Sequence, residues 1–150
     1  MSGRAAARIW VLWLGGGLAA NFAWEMLQMP LFARFEGGWW QCFQASLGDI
    51  GLLGALYVLM ACAAEDWIWF ERMSPWRVLL LTVLGLLVAT VVELRALVAG
   101  AWSYRAGMPR LPFLRVGLLP ALQMIVIPLG LAGMSRAWAL GGARNGGRPV

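Results

Sequence analysis

The sequence predicts an all-α integral membrane protein, a four-helix bundle running up-down-up-down with short loops. Three observations predict it. The chain is 61% hydrophobic and only 13% charged, with a mean hydropathy of +0.73, about half the charge of a soluble domain of this size. Its apolar runs are long and unbroken rather than alternating, which reads as helix and not as barrel strand. Turn-rich and charged stretches divide those runs into four pieces, each near the roughly 20 residues that a membrane crossing needs.

The first span is expected over residues 9–29, after a short basic lead with Arg4 and Arg8. Trp10 and Trp13 at its start read as an interface belt, and Gly15-Gly16-Gly17 as a place where another helix comes close. The run is long and lacks a small-residue cleavage pattern, so it reads as a retained span and not a signal peptide. Pro30 closes it. A loop over 31–41 carries Arg34, Glu36, Trp39 and Trp40. The second span, 42–64, has a small face of Gly48, Gly51, Gly54 and Ala55, again a packing signature. Ser74-Pro75 is a helix start, with Ser as N-cap and Pro at the first helical position, and the third span follows over 76–98. A connection with Trp102, Tyr104, Arg105 and Pro109 leads to the fourth span, 113–134. Residues 1–140 make a single domain without internal repeats, and a Gly/Arg-rich tail over 141–150 is expected to be disordered.

Composition also excludes. All 12 basic residues are Arg and there is no His. A Schiff-base lysine is ruled out, as are the usual haem ligand and the commonest zinc ligand. No cofactor is expected, and no metal: three carboxylates could hold a hard cation, but no spacing resembles a binding loop. The arginines flank the spans and form no stripe, so nucleic acid is not a partner. Cys42 and Cys62 would lie roughly 30 Å apart on one helix, beyond disulfide reach, and read as packing residues.

The candidate site starts from Asn21, Trp24, Glu25 and Gln28, which fall within about 100° of arc on one helix. An ionisable group inside a span is costly and by default marks function. Alternating span directions put Glu25 and Gln28, Asp49, Glu93 and Gln123 in one layer, toward the same face of the membrane, with the opposite half nearly free of polar groups. The two connections on that face, with Trp39 and Trp40 and with Trp102, Tyr104 and Arg105, would roof it. The expected picture is a polar, aromatic-capped cavity in the outer half of the bilayer. Glu25, Glu93 and Asp49 are the candidate catalytic residues, and Asn21, Trp24, Gln28, Trp102, Tyr104 and Gln123 the candidate binding residues. Paired carboxyl groups in different protonation states do acid–base work, and aromatic faces stabilise cations. The expected ligand is therefore a membrane lipid or an isoprenoid-like molecule. The competing reading is an interhelical network of Glu25, Gln28, Asp49, Glu93 and Arg95 that only fixes the bundle. Others are an accessory subunit that docks on a membrane-protein partner and an oligomeric transporter component.

The pattern Asn21-x-x-Trp24-Glu25-x-x-Gln28-x-Pro30-Leu31 resembles the first span of a group of small four-span bacterial membrane proteins with no assigned activity. So do Cys42 with Gly48-Asp49, Glu93, Trp102-x-Tyr104, Met108-Pro109 and Pro120-x-x-Gln123, in order and over nearly the whole chain. The resemblance implies that these positions belong together, and it implies a multi-pass protein of a bacterial inner (cell) membrane. Arginine counts orient it. Arg4, Arg8, Arg72, Arg77, Arg136, Arg144 and Arg148 share one side, against Arg34, Arg105, Arg110 and Arg115 on the other. Seven against four puts both termini in the cytoplasm.

Overall fold

In a computed structural model the chain is described over residues 3–33 and 38–145. It is all-α, with no strand among the described residues. The first rod is α1 (Gly3–Val11), a π turn (Leu12–Gly16) and α2 (Gly17–Gln28), continued by a 3-10 turn at Met29–Leu31. Then come α3 (Gly38–Ala64), α4 (Pro75–Val98) and α5 (Leu118–Asn145). Contacts run α2–α3, α3–α4, α4–α5 and α5–α2, with only slight diagonal contact between α3 and α5. The four rods thus close a ring in chain order, the up-down-up-down bundle. Three helices, α3, α4 and α5 over Leu118–Ala139, are long and apolar enough to cross a membrane. The chain is a small membrane protein.

The π turn has a local purpose. Leu12 and Asn21 would stand about 180° apart on an ideal helix, yet both are buried. The wider turn at Leu12–Gly16 takes up about half of that offset, and its glycines accept the geometry,. Directly after it Gly17 lets α3 approach: a Cβ there would sit 3.1 Å from the Leu53 side chain and 3.2 Å from that of Ile50. The closest approach is at Gly85 of α4, where a Cβ would lie 2.1 Å from the backbone oxygen of Met124 on α5. Ser74 caps α4 as its sequence predicts, accepting from the Arg77 amide at 3.3 Å with Pro75 first in the helix.

Several expectations are corrected. Trp13 is not an interface residue: it is 2% exposed, packs edge-on against Tyr57 and Trp69, and donates to Ser135 Oγ at 3.0 Å. The half of the bundle away from the candidate site is therefore not free of polar groups. Gly51 and Ala55 do not pack inward but lie on the exposed side of α3, and Gly48 opens onto the cavity described below. The last connection is long, and α5 begins at Leu118 rather than at 113. Phe113 and Arg115 adopt positive φ (69° and 57°), and the Leu111 amide bonds to Val116 O, so the apolar run 111–116 closes into a turn. At its far end α5 continues to Asn145, past the expected start of the tail. Arg34, Glu36 and Arg148 lie outside the described residues. Exposed tryptophans gather at both ends: Trp39 and Trp40 at one, Trp10, Trp67, Trp76 and Trp138 at the other.

Candidate functional site

The site lies at the end of the bundle that carries the first and third connections. Each helix contributes for a local reason. On α2, Asn21, Glu25 and Gln28 recur at helical spacing and share the buried face,. On α3, Ala45, Gly48, Asp49 and Leu52 form one stripe; on α4, Ala89, Val92 and Glu93 form another. On α5, Pro120, Gln123 and Met124 complete the wall. All of these but Asn21 line a cavity of about 380 Å³.

Gln123 is its hub. Its Nε2 donates to Asn21 Oδ1 and to Asp49 Oδ2, both at 2.8 Å, and its Oε1 accepts from Gln28 Nε2 at 3.1 Å. Gln28 Nε2 also donates to Glu25 Oε1 at 2.8 Å. Asn21 Nδ2 is returned to its own helix, donating to Gly17 O at 2.9 Å. One continuous set of bonds therefore joins α2, α3 and α5, and links Glu25 to Asp49 through two carboxamides. Glu93 stands on the opposite wall with partners of its own. Its Oε2 accepts from Trp102 Nε1 at 3.3 Å and from the Tyr104 hydroxyl. Among the described residues the partners of the three carboxyl groups are thus amides, an indole and a phenol rather than guanidinium groups.

The roof is built by pairing the two connections. Ala33 N donates to Ser103 O and Arg105 N to Leu31 O, which bridges Phe32 to Tyr104. Phe32 is then held edge-on to Trp102 (6.2 Å) and tilted against Tyr104 (5.6 Å). Tyr104 also accepts from the Gly117 amide at 2.9 Å, and the Arg110 guanidinium lies 5.3 Å from its ring centroid. Burial and the bond to Glu93 push the Tyr104 hydroxyl pKa above its ordinary 10,.

Eight of the nine sequence-selected residues meet here: Asn21, Glu25, Gln28, Asp49, Glu93, Trp102, Tyr104 and Gln123. Trp24 does not. It packs against the main apolar core with Ala20 and Ile50 and is absent from the cavity wall. The indole lies at the edge of the polar arc, where lateral packing against the core captures it. Trp39 and Trp40 are 62% and 50% exposed and face outward, so they roof nothing. Sequence reasoning passed over Phe32 and Gln44, which both line the cavity. Phe32 follows Pro30-Leu31 at the helix exit, and only the pairing with Ser103 and Arg105 turns it inward. Arg95 is exposed and takes no part. Among the described residues no three Cys, Asp or Glu side chains are grouped to hold a metal ion.

Chemically the pocket has a mainly apolar wall with a cluster of hydrogen-bonding groups on it. The chain matches no protein family, no curated protein and no solved structure.

Proposed function

We propose that this protein binds a lipophilic, isoprenoid- or lipid-like small molecule in this cavity, its polar end against Glu25, Asp49 and Glu93 and its apolar body along α3 and α4. The observation that carries the reading is the convergence of three carboxyl groups and two carboxamides from four rods on one apolar-walled cavity of about 380 Å³. A network serving only to fix the bundle has no need of space beside it. Glu25 and Asp49 are the candidates for acid–base chemistry, joined through Gln28 and Gln123. Glu93 is held by Trp102 and Tyr104 and serves to position.

In this reading the first rod is the fourth crossing: 26 residues of continuous helix (Gly3–Gln28) span about 39 Å,. The protein sits in a bacterial inner membrane with both termini cytoplasmic and the cavity in the outer half, and belongs with the small four-span proteins that its motif pattern resembles. The test is to purify the full chain in a mild non-ionic detergent and identify co-purified lipophiles by mass spectrometry. Wild type should carry one compound in stoichiometric amount. Glu25→Gln and Asp49→Asn should unfold cooperatively, close to the wild-type temperature, and arrive empty. Equal loss of folding in both, with no compound in wild type, would leave the structural network as the better account.

A second reading has one observation behind it. Gly51 and Ala55 form an exposed small-residue stripe on α3, and a Cβ at Gly51 would meet nothing within 4 Å. Such stripes accept another helix, as an accessory subunit of a membrane complex would need.

A further inference from the structure

The chemical class of the polar end can be read from which donors and acceptors the cavity still has to offer. Gln28 Nε2 has two hydrogens, used on Glu25 and Gln123. Gln123 Nε2 has two, used on Asn21 and Asp49. The Trp102 indole and the Tyr104 hydroxyl have one each, both used on Glu93. These donors are therefore consumed inside the protein. Gln44, the other amide on the wall, is exposed at the rim. Among the described residues no arginine lines the cavity, and Arg110 is engaged over the Tyr104 ring.

Acceptors are in surplus. Gln28 is 3% exposed, and its Oε1 is buried without a partner. Turning the carboxamide over does not relieve it. The oxygen would then face Glu25 Oε1 and Gln123 Oε1, two acceptors. A buried carbonyl without a donor is costly, so this oxygen points to a donor that comes from outside the chain.

We infer that the cavity takes a lipophilic amine, its N–H groups donating to Gln28 Oε1 and to the carboxyl groups around it. This rests on the cavity reading above and deepens it. A phosphate, diphosphate or carboxylate head would bring acceptors to a wall that already has them in surplus. An alcohol supplies one donor; an ammonium group supplies two or three, with a charge that complements Glu25, Asp49 and Glu93. The Phe32 and Trp102 rings at the roof favour a cation further.

The experiment uses the full chain in maltoside micelles, with n-decylamine, n-decanol and n-decyl phosphate as probes of one chain length, read by calorimetric titration and by thermal shift. Two variants accompany wild type: Glu25→Gln/Asp49→Asn, and Gly48→Trp, which sets a ring at the cavity wall where a Cβ meets nothing within 4 Å. Decylamine should bind about tenfold or more tightly than decanol, and decyl phosphate should show only micelle partitioning. The double variant should weaken decylamine about tenfold and leave decanol within about twofold. Gly48→Trp should abolish both. If decyl phosphate or decanol binds as tightly as decylamine and Gly48→Trp still blocks it, the amine inference is overturned and the cavity reading stands. If no probe saturates, or Gly48→Trp blocks none, the cavity reading falls and the inference with it.

Discussion

Replacing Gln123 by Leu tests whether the carboxamide network holds the cavity wall together. Leucine keeps nearly the same volume and removes three bonds, to Asn21, Asp49 and Gln28. Polar contacts between membrane helices average about 0.6 kcal/mol each and reach about 1.7. Three of them therefore contribute about 2 to 5 kcal/mol. Asn21 sets the figure within that range, because it is fully buried and its Oδ1 would lose the donor supplied by Gln123. Asp49 sits at the open side of the cavity, where water can replace the lost partner,. We expect a loss of about 3 kcal/mol, which for a chain of this length lowers Tm by roughly 6–12 °C. Thermal unfolding in maltoside micelles, followed by circular dichroism, reads it directly. Gln28→Leu removes one of the same bonds, so the double variant should lose less than the sum of the singles. A Gln123→Leu protein that melts at the wild-type temperature would refute the reasoning. The amides would then be passengers on apolar packing, and the wall would need no network to stand.

Two further outcomes follow from the structure. Gly85→Ala forces a methyl against Met124 O and should cost about 1–3 kcal/mol or more,, whereas Gly51→Ala, facing open space, should be neutral or add up to about 1 kcal/mol,; paired melting curves decide between them. The Tyr104 hydroxyl has a folded-state pKa above its ordinary 10, so its contribution to stability is fully present below pH 10 and is lost as the pH rises toward the folded value,; Tyr104→Phe should flatten the alkaline fall of Tm above pH 10, and an unchanged slope would show that the hydroxyl is not held by Glu93.

What could be read in the chain, and what could not, divides along physical lines. Asn21, Glu25, Gln28, Asp49, Glu93 and Gln123 were legible because a polar group in an apolar helix is expensive wherever the helix docks. The cost is local, and it points inward without knowledge of the neighbours. Tryptophan carries no such constraint. Its large apolar ring and single N–H suit an interface, a core or a cavity equally, and Trp13, Trp24 and Trp40 each took a place set by tertiary contacts. Helix phase was hidden for the same reason. The π turn at Leu12–Gly16 reorients α1 against α2, and Gly15-Gly16 marks only that a departure from regular geometry is tolerated. The start of α5 was masked by hydropathy, since Pro112-Phe113-Leu114 extends the apolar run while its backbone turns.

The two ends of the bundle now explain one another. The main core lies away from the site and includes Trp13, Tyr57, Met60, Trp69, Phe70 and Leu81. Its rings meet at 4.9 to 6.1 Å, arrangements worth about 0.5–1.5 kcal/mol per pair beyond area burial. The cavity end has only the small cluster of Ala89, Ala121 and Met124. The cavity is open at Asp49, so either water or an apolar chain can enter it. An apolar filler would satisfy Ala45, Leu52 and Val92 and leave Gln28 Oε1 unpaired. Water alone would satisfy Gln28 and wet the apolar wall. A molecule with an apolar body and a donating head, as proposed above, would satisfy both at once, and the aromatic end would hold the helices together as it entered and left.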